Sequence, residues 1–146
     1  MFRDKIGISG ELRVSVLDEN GVLKEERTIP NLITTVGKTF IASRIDGTTA
    51  NVMSHMAIGT SSTAAAAGNT ALVAESARVA VDSSTASAAT EVYVATFPAG
   101  TGTGAITEAG VLNASSSGTL LCRTVFSVIN KGSSDSMIIT WTITVS

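Results

Sequence analysis

The sequence predicts a mainly β fold: a single-domain antiparallel β-sandwich or flattened barrel over residues 1–146, with one short helix near residues 32–45. Three observations predict it. Apolar and polar residues alternate with a period of two near both ends of the chain, turn signals recur about every ten residues, and one segment switches to a spacing of three and four. At 146 residues and 44% hydrophobic content the chain has the length of one ordinary domain and enough apolar side chains to fill a core without staples. It shows no interdomain linker and no fixed-period repeat.

The first strand is residues 11–17, where Leu12, Val14 and Val16 share one face. Asn20-Gly21 follows, a strong hairpin signal because both residue types tolerate positive φ. The return arm is residues 22–29, stopped by Pro30, which cannot donate to a sheet ladder. Over residues 31–45 the period changes: Leu32, Ile33, Val36, Phe40, Ile41 and Ile45 fall at helical spacing. Asn31 or Thr34 is available as an N-cap. Gly37 weakens this helix by about 1 kcal/mol relative to alanine but permits close packing.

After a turn at residues 46–49, residues 52–59 form a buried strand. Residues 60–71 and 82–90 are low-complexity Ser/Thr/Ala stretches and are expected as loops that become ordered on assembly. Between them, residues 73–81 suit a strand or a strand with a bulge. Residues 91–97 are rich in β-branched and aromatic side chains, as a pleated surface requires. Glycines 100, 102 and 104 make a turn, residues 106–113 are a short apolar strand, and 114–118 turn again. Residues 119–129 and 137–145 are long strands joined by the polar loop 130–135. In the last strand Ile138, Thr140, Thr142 and Thr144 alternate with Ile139, Trp141, Ile143 and Val145, giving one threonine-rich and one apolar face.

The candidate chemistry is sparse. Gly100, Gly102 and Gly104 satisfy a permissive dinucleotide pattern, but Ile106-Thr107-Glu108 is too β-like to open the required helix, and residues 120–129 hold no acid. His55 and Cys122 are the only residues of their kinds, and a nucleophilic dyad needs them adjacent with the thiolate favoured. His55 lies in an apolar run and reads as a packed histidine; Arg123, next to Cys122, points to the opposite strand face. Asp18, Glu19 and Asn20 could offer oxygens to calcium, but their spacing matches no known loop. Asn113-Ala114-Ser115 fits the glycosylation sequon, which carries no consequence without a secretory signal. The reading is of a chain without catalytic, cofactor-binding or metal site residues, and without an enzymatic activity.

The charge balance argues against nucleic acid as a partner. The formal net charge is −2, and the ten basic residues are scattered rather than gathered in a stripe. The densest cluster, Lys24-Glu25-Glu26-Arg27, is mixed in sign. No apolar run suits a signal peptide or a membrane helix, so synthesis in a cytoplasm is expected, with no membrane partner and no small-molecule substrate. Only 15% of residues are charged and mean hydropathy is +0.35. So little surface charge suggests that part of the surface is covered by neighbours, and long Thr-rich strand faces suit self-association.

One likeness adds to this. The segments Asn31-Leu32-Ile33-Thr34-Thr35-Val36-Gly37-Lys38-Thr39-Phe40-Ile41-Ala42-Ser43-Arg44, Met56-Ala57-Ile58-Gly59-Thr60, Ala95-Thr96-Phe97-Pro98-Ala99-Gly100-Thr101-Gly102, Thr107-Glu108-Ala109-Gly110 and Ile139-Thr140-Trp141-Thr142-Ile143-Thr144-Val145 occur in an order that resembles small virion structural proteins of tailed bacteriophages. The resemblance runs over nearly the whole chain, and no single motif within it is diagnostic. It implies a virion component: a capsid decoration or cement protein that forms a homo-oligomer, with a trimer as one arrangement, and binds the major capsid protein. A tail- or fibre-associated adaptor is the alternative. The absence of shaft repeats and an aromatic content of 4% favour the head. From a different class, a carbohydrate-binding module would require Trp141 and Tyr93 exposed on one face.

Overall fold

The computed structural model describes residues 4–48 and 50–146; residues 1–3, and Thr49 at the end of the expected turn 46–49, lie outside the described residues. Two five-stranded antiparallel sheets pack face to face, so the sandwich form holds and the flattened barrel does not. In chain order the elements are β1 (Ile8–Leu17), β2 (Leu23–Pro30), β3 (Leu32–Ile33), α1 (Thr35–Ile45), β4 (His55–Gly59) and β5 (Glu75–Ala80). They continue with β6 (Ser83–Ser87), β7 (Thr90–Phe97), β8 (Gly104–Leu112), β9 (Leu120–Lys131) and β10 (Ser136–Val145). The first sheet has the order β2-β1-β10-β7-β6 and the second β3-β9-β8-β4-β5.

Alternation places the core. Leu12, Val14 and Val16 of β1, Ile139 and Trp141 of β10, and Ala95 and Phe97 of β7 turn inward from the first sheet. They meet Met56 and Ile58 of β4, Ile106 and Val111 of β8, and Cys122 and Ile129 of β9. Each such large apolar side chain contributes about 1.5–3 kcal/mol on burial, far more than any surface pair in the molecule. Main-chain bonds between Gly7 and Ser146 extend the β1–β10 ladder past Ile8↔Val145.

The opening hairpin forms as the alternation predicts, but its turn runs from Asp18 to Val22. The Asp18 Oδ1 accepts from the Asn20 and Val22 amides, and of the Asn20-Gly21 pair only Gly21 takes positive φ (77°). The helix starts later than the residue spacing suggests. Leu32 and Ile33 pair with Arg123 and Cys122 as β3, so α1 begins only at Thr35. Thr34 is the cap: its Oγ1 accepts from the Gly37 amide at 2.9 Å and donates to the Leu120 carbonyl at 2.7 Å. Gly37 is the buried residue of α1, because a side chain there would collide with the Leu121 carbonyl.

The two low-complexity segments are not free loops. Residues 83–87 form β6, an edge strand paired with β7 from Ser83↔Val94 to Ser87↔Thr90. Ala88, at φ 51°, turns the hairpin tightly without the glycine or asparagine that usually marks such turns, which is why composition hides it. Residues 60–74 lie over the outer face of the second sheet. β5 pairs with β4 through a register shift at Ile58/Gly59, the bulged form of the strand expected at residues 73–81.

Candidate interaction surface

The second sheet is covered on both faces, and small residues make this possible. On its outer face one cross-strand row is Ala57, Gly110 and Arg123, and the next is Gly59, Glu108 and Val125. A Cβ at Gly59 would collide with the Ala74 carbonyl, and one at Gly110 would press on Leu72 and Leu120. The missing side chains leave a trough, and the main chain of residues 60–74 lies in it.

A buried ion pair holds it there. Glu108 and Arg123, both 0% exposed, sit diagonally on adjacent strands with Arg123 Nη2 2.9 Å from Glu108 Oε2. The Glu108 carboxylate also accepts from the amides of Ala74 at 2.7 Å and Val73 at 3.1 Å. The Arg123 guanidinium donates to the Thr63 and Ala64 carbonyls and to Asn69 Oδ1. Thr107 Oγ1 donates to the Ser61 carbonyl, and the Thr35 amide donates to the Ala67 carbonyl, fastening the segment to the start of α1. With charges neutralised and donors satisfied, this pair serves folding: it converts an alanine-rich stretch into a fixed layer.

Sequence reasoning missed both partners. The available signal was a lone acid in the apolar run of residues 106–112 and a lone base between Cys122 and Val125.

The other singled-out residues are dispersed. Cys122, Val111 and Met56 form one cross-strand row facing the core, whereas His55 lies opposite Leu112 on the other face. Two strand spacings and a change of face thus separate Cys122 from His55, and burial pushes the Cys122 thiol well above its usual range. His55 Nδ1 is paired with Ser54 Oγ at 2.8 Å. Gly100, Gly102 and Gly104 all take positive φ and lead into β8, a strand rather than a phosphate-binding helix. Asp18 is occupied by its own turn, and among the described residues no group of three or more His, Cys, Asp or Glu is placed to hold a metal. The Asn113 side chain bridges Asn51 and Thr119. Trp141 is 0% exposed and Tyr93 9%, so neither offers a ring face to a sugar. Burial, with Glu91 nearby, pushes the Tyr93 hydroxyl up to about 12.

Among the described residues, none covers the outer face of the first sheet. Its rows run Pro30–Glu11–Thr142–Val92–Thr85 and Thr28–Arg13–Thr140–Val94–Ser83, from one sheet edge to the other. Glu11 and Arg13 on β1, Glu26 on β2 and Asp82 beside β6, whose Oδ2 accepts from Thr96 Oγ1, supply the charge, with Arg13 and Glu26 4.0 Å apart in water, a pair worth little. Two adjoining shallow clefts of about 340 and 230 Å³ share Glu11 and Thr142. Hydroxyls and methyls otherwise cover the surface. Such a face can be buried without desolvating many charges.

No protein-family model matches this chain, and no curated protein or solved structure matches it significantly. Among the described residues, no helix is long and apolar enough to cross a membrane.

Proposed function

We propose that this chain is a non-enzymatic structural protein of a tailed-bacteriophage virion, a capsid decoration or cement protein that forms homo-oligomers and binds the shell of the major capsid protein. The observation that carries the reading is the uncovered, charge-poor outer face of β2-β1-β10-β7-β6. It joins a surface suited to docking to a chain order that resembles such virion proteins. The ionisable groups with the densest bonding, Glu108 and Arg123, are engaged in holding the fold. A carbohydrate-binding role would lack its platform in Trp141 and Tyr93.

The test is solution mass by light scattering, followed by co-sedimentation with the expanded capsids of the parent phage. A discrete oligomer that pellets with capsids at fixed stoichiometry is expected. An oligomer that stays in the supernatant moves the assignment to the tail or fibre, and a monomer free of capsids overturns the reading.

A further inference from the structure

The sheet edges of this molecule are not equally protected. β2 carries Lys24, Glu25, Glu26 and Arg27 and ends at Pro30. β5 carries Glu75 and Arg78, paired at 2.6 Å. The β9 edge beyond the two-residue β3 is capped by Arg27, whose guanidinium donates to the Ser127 and Val128 carbonyls. β6 has none of these devices. Its five residues, Ser-Ser-Thr-Ala-Ser, are uncharged, small and exposed along the whole strand. Unpaired edges of this kind are templates for a further strand.

We propose that two copies of this chain pair antiparallel through β6 about a twofold axis at Thr85, joining their first sheets into one sheet of ten strands. The proposal rests on the self-assembly part of the function proposed above and names the edge that performs it. Hydrogen-bond parity sets the register. The two-residue loop Ala88-Ala89 closes on Ser87↔Thr90, so Ser83, Thr85 and Ser87 bond to β7 while the amides and carbonyls of Ser84 and Ala86 point away from it. The Val94 carbonyl, which also accepts from the Asp82 amide, faces β6 as a hydrogen-bonded Ser83↔Val94 pair requires; Asp82 itself breaks the alternation at the start of the strand.

A twofold at Thr85 sets Ser84 of each copy against Ala86 of the other, with both outward groups satisfied. A β2–β2 pairing about a twofold at Glu25 or Glu26 would set that acid against its own symmetry mate among other charges, whereas β6 meets itself with no charged side chain on either strand. The union also continues the outer rows, with Thr85 beside its symmetry mate, and doubles the docking face.

Thr85 would form a non-hydrogen-bonded pair with its mate, with Cα atoms about 4.5 Å apart, inside the range of about 4.4–6.8 Å that a disulfide spans. Thr85→Cys, oxidised mildly at concentrations where the native chain is oligomeric, is therefore expected to run as a covalent dimer on a non-reducing gel. The native thiol, Cys122, is buried and does not compete. Glu26→Cys on the far edge is expected to stay uncrosslinked. Adding Ala86→Pro to Thr85→Cys removes an outward amide without breaking the β7 ladder, so crosslinking is lost while the thermal unfolding midpoint is kept. An uncrosslinked Thr85→Cys in an oligomeric sample overturns the edge assignment and leaves self-assembly standing. Crosslinking that survives Ala86→Pro also overturns it. A native chain that is monomeric at every concentration removes the assembly reading itself.

Discussion

Replacing Glu108 by glutamine keeps the shape of the side chain and removes its charge, which isolates what the buried pair does. In the native chain Glu108 neutralises Arg123 at 2.9 Å and accepts from three main-chain amides of the covering segment, those of Ser61, Val73 and Ala74. In the variant the amide oxygen can take the Oε1 position and still serve Ala74, but the amide nitrogen then faces both the guanidinium and the Val73 amide, leaving a cation enclosed at 0% exposure. Removing one partner of a buried pair costs about 3–5 kcal/mol, against a total stability of about 5–15 kcal/mol for a domain. For a chain of this length that corresponds to a fall of roughly 10–15 °C in the melting midpoint. Urea unfolding followed by the fluorescence of Trp141, the single tryptophan, measures it directly. Hydrogen exchange supplies the local readout: the Val73 and Ala74 amides lose protection before β10 does. A loss under about 1 kcal/mol, with those amides still protected, would refute the assignment of the pair as the anchor of residues 60–74.

Three further outcomes follow from other contacts. Arg27→Ala removes two bonds from β2 to the carbonyls of Ser127 and Val128, a clasp between the sheets, and is expected to lower urea stability by about 1–3 kcal/mol. Gly37→Ala improves helix propensity by about 1 kcal/mol yet drives a methyl into the Leu121 carbonyl, so a net loss of stability is expected and a gain would contradict the packing of α1 on β9. The Asp135 carboxyl is held below its ordinary range, first by the hydrogen bond from Lys24 and then by that from the Gly132 amide. A depressed carboxylate stabilises the fold above its unfolded pKa, and that contribution is lost as pH falls through the folded value. Stability should therefore decline as pH drops below about 4, and Asp135→Asn should flatten that part of the urea-midpoint profile.

The legible parts of this fold were those governed by short-range periodicity. β1 and β10 follow from alternation and β2 from the hairpin turn before it and the proline that ends it, and the core positions Leu12, Val14, Val16 and Trp141 come with the alternation. The helix was legible in kind but not in its start, because Leu32 and Ile33 match helical spacing and are claimed instead by pairing with β9. β6 was hidden because Ser, Thr and Ala carry no alternation of polarity, and the pairing comes from its hairpin with β7. The covering layer was hidden for a different reason. It depends on Glu108 and Arg123 meeting across β8 and β9, and on glycines at 59 and 110 whose value lies in what they leave open. The outer face of the first sheet was half legible: the threonine ladder of β10 shows in sequence, but its continuation onto Val92, Val94 and Thr85 depends on strand order.

The central claim, that the outer face of the first sheet is the surface that docks, is tested most directly by Thr142→Arg. Thr142 lies mid-face opposite Glu11, so the new cation has an acid beside it and the fold is expected to keep its stability to within about 0.5 kcal/mol. Co-sedimentation with expanded capsids, native and variant side by side, is the measurement. The account predicts that the native chain pellets and the equally stable variant stays in the supernatant. A variant that pellets with native stoichiometry would contradict it.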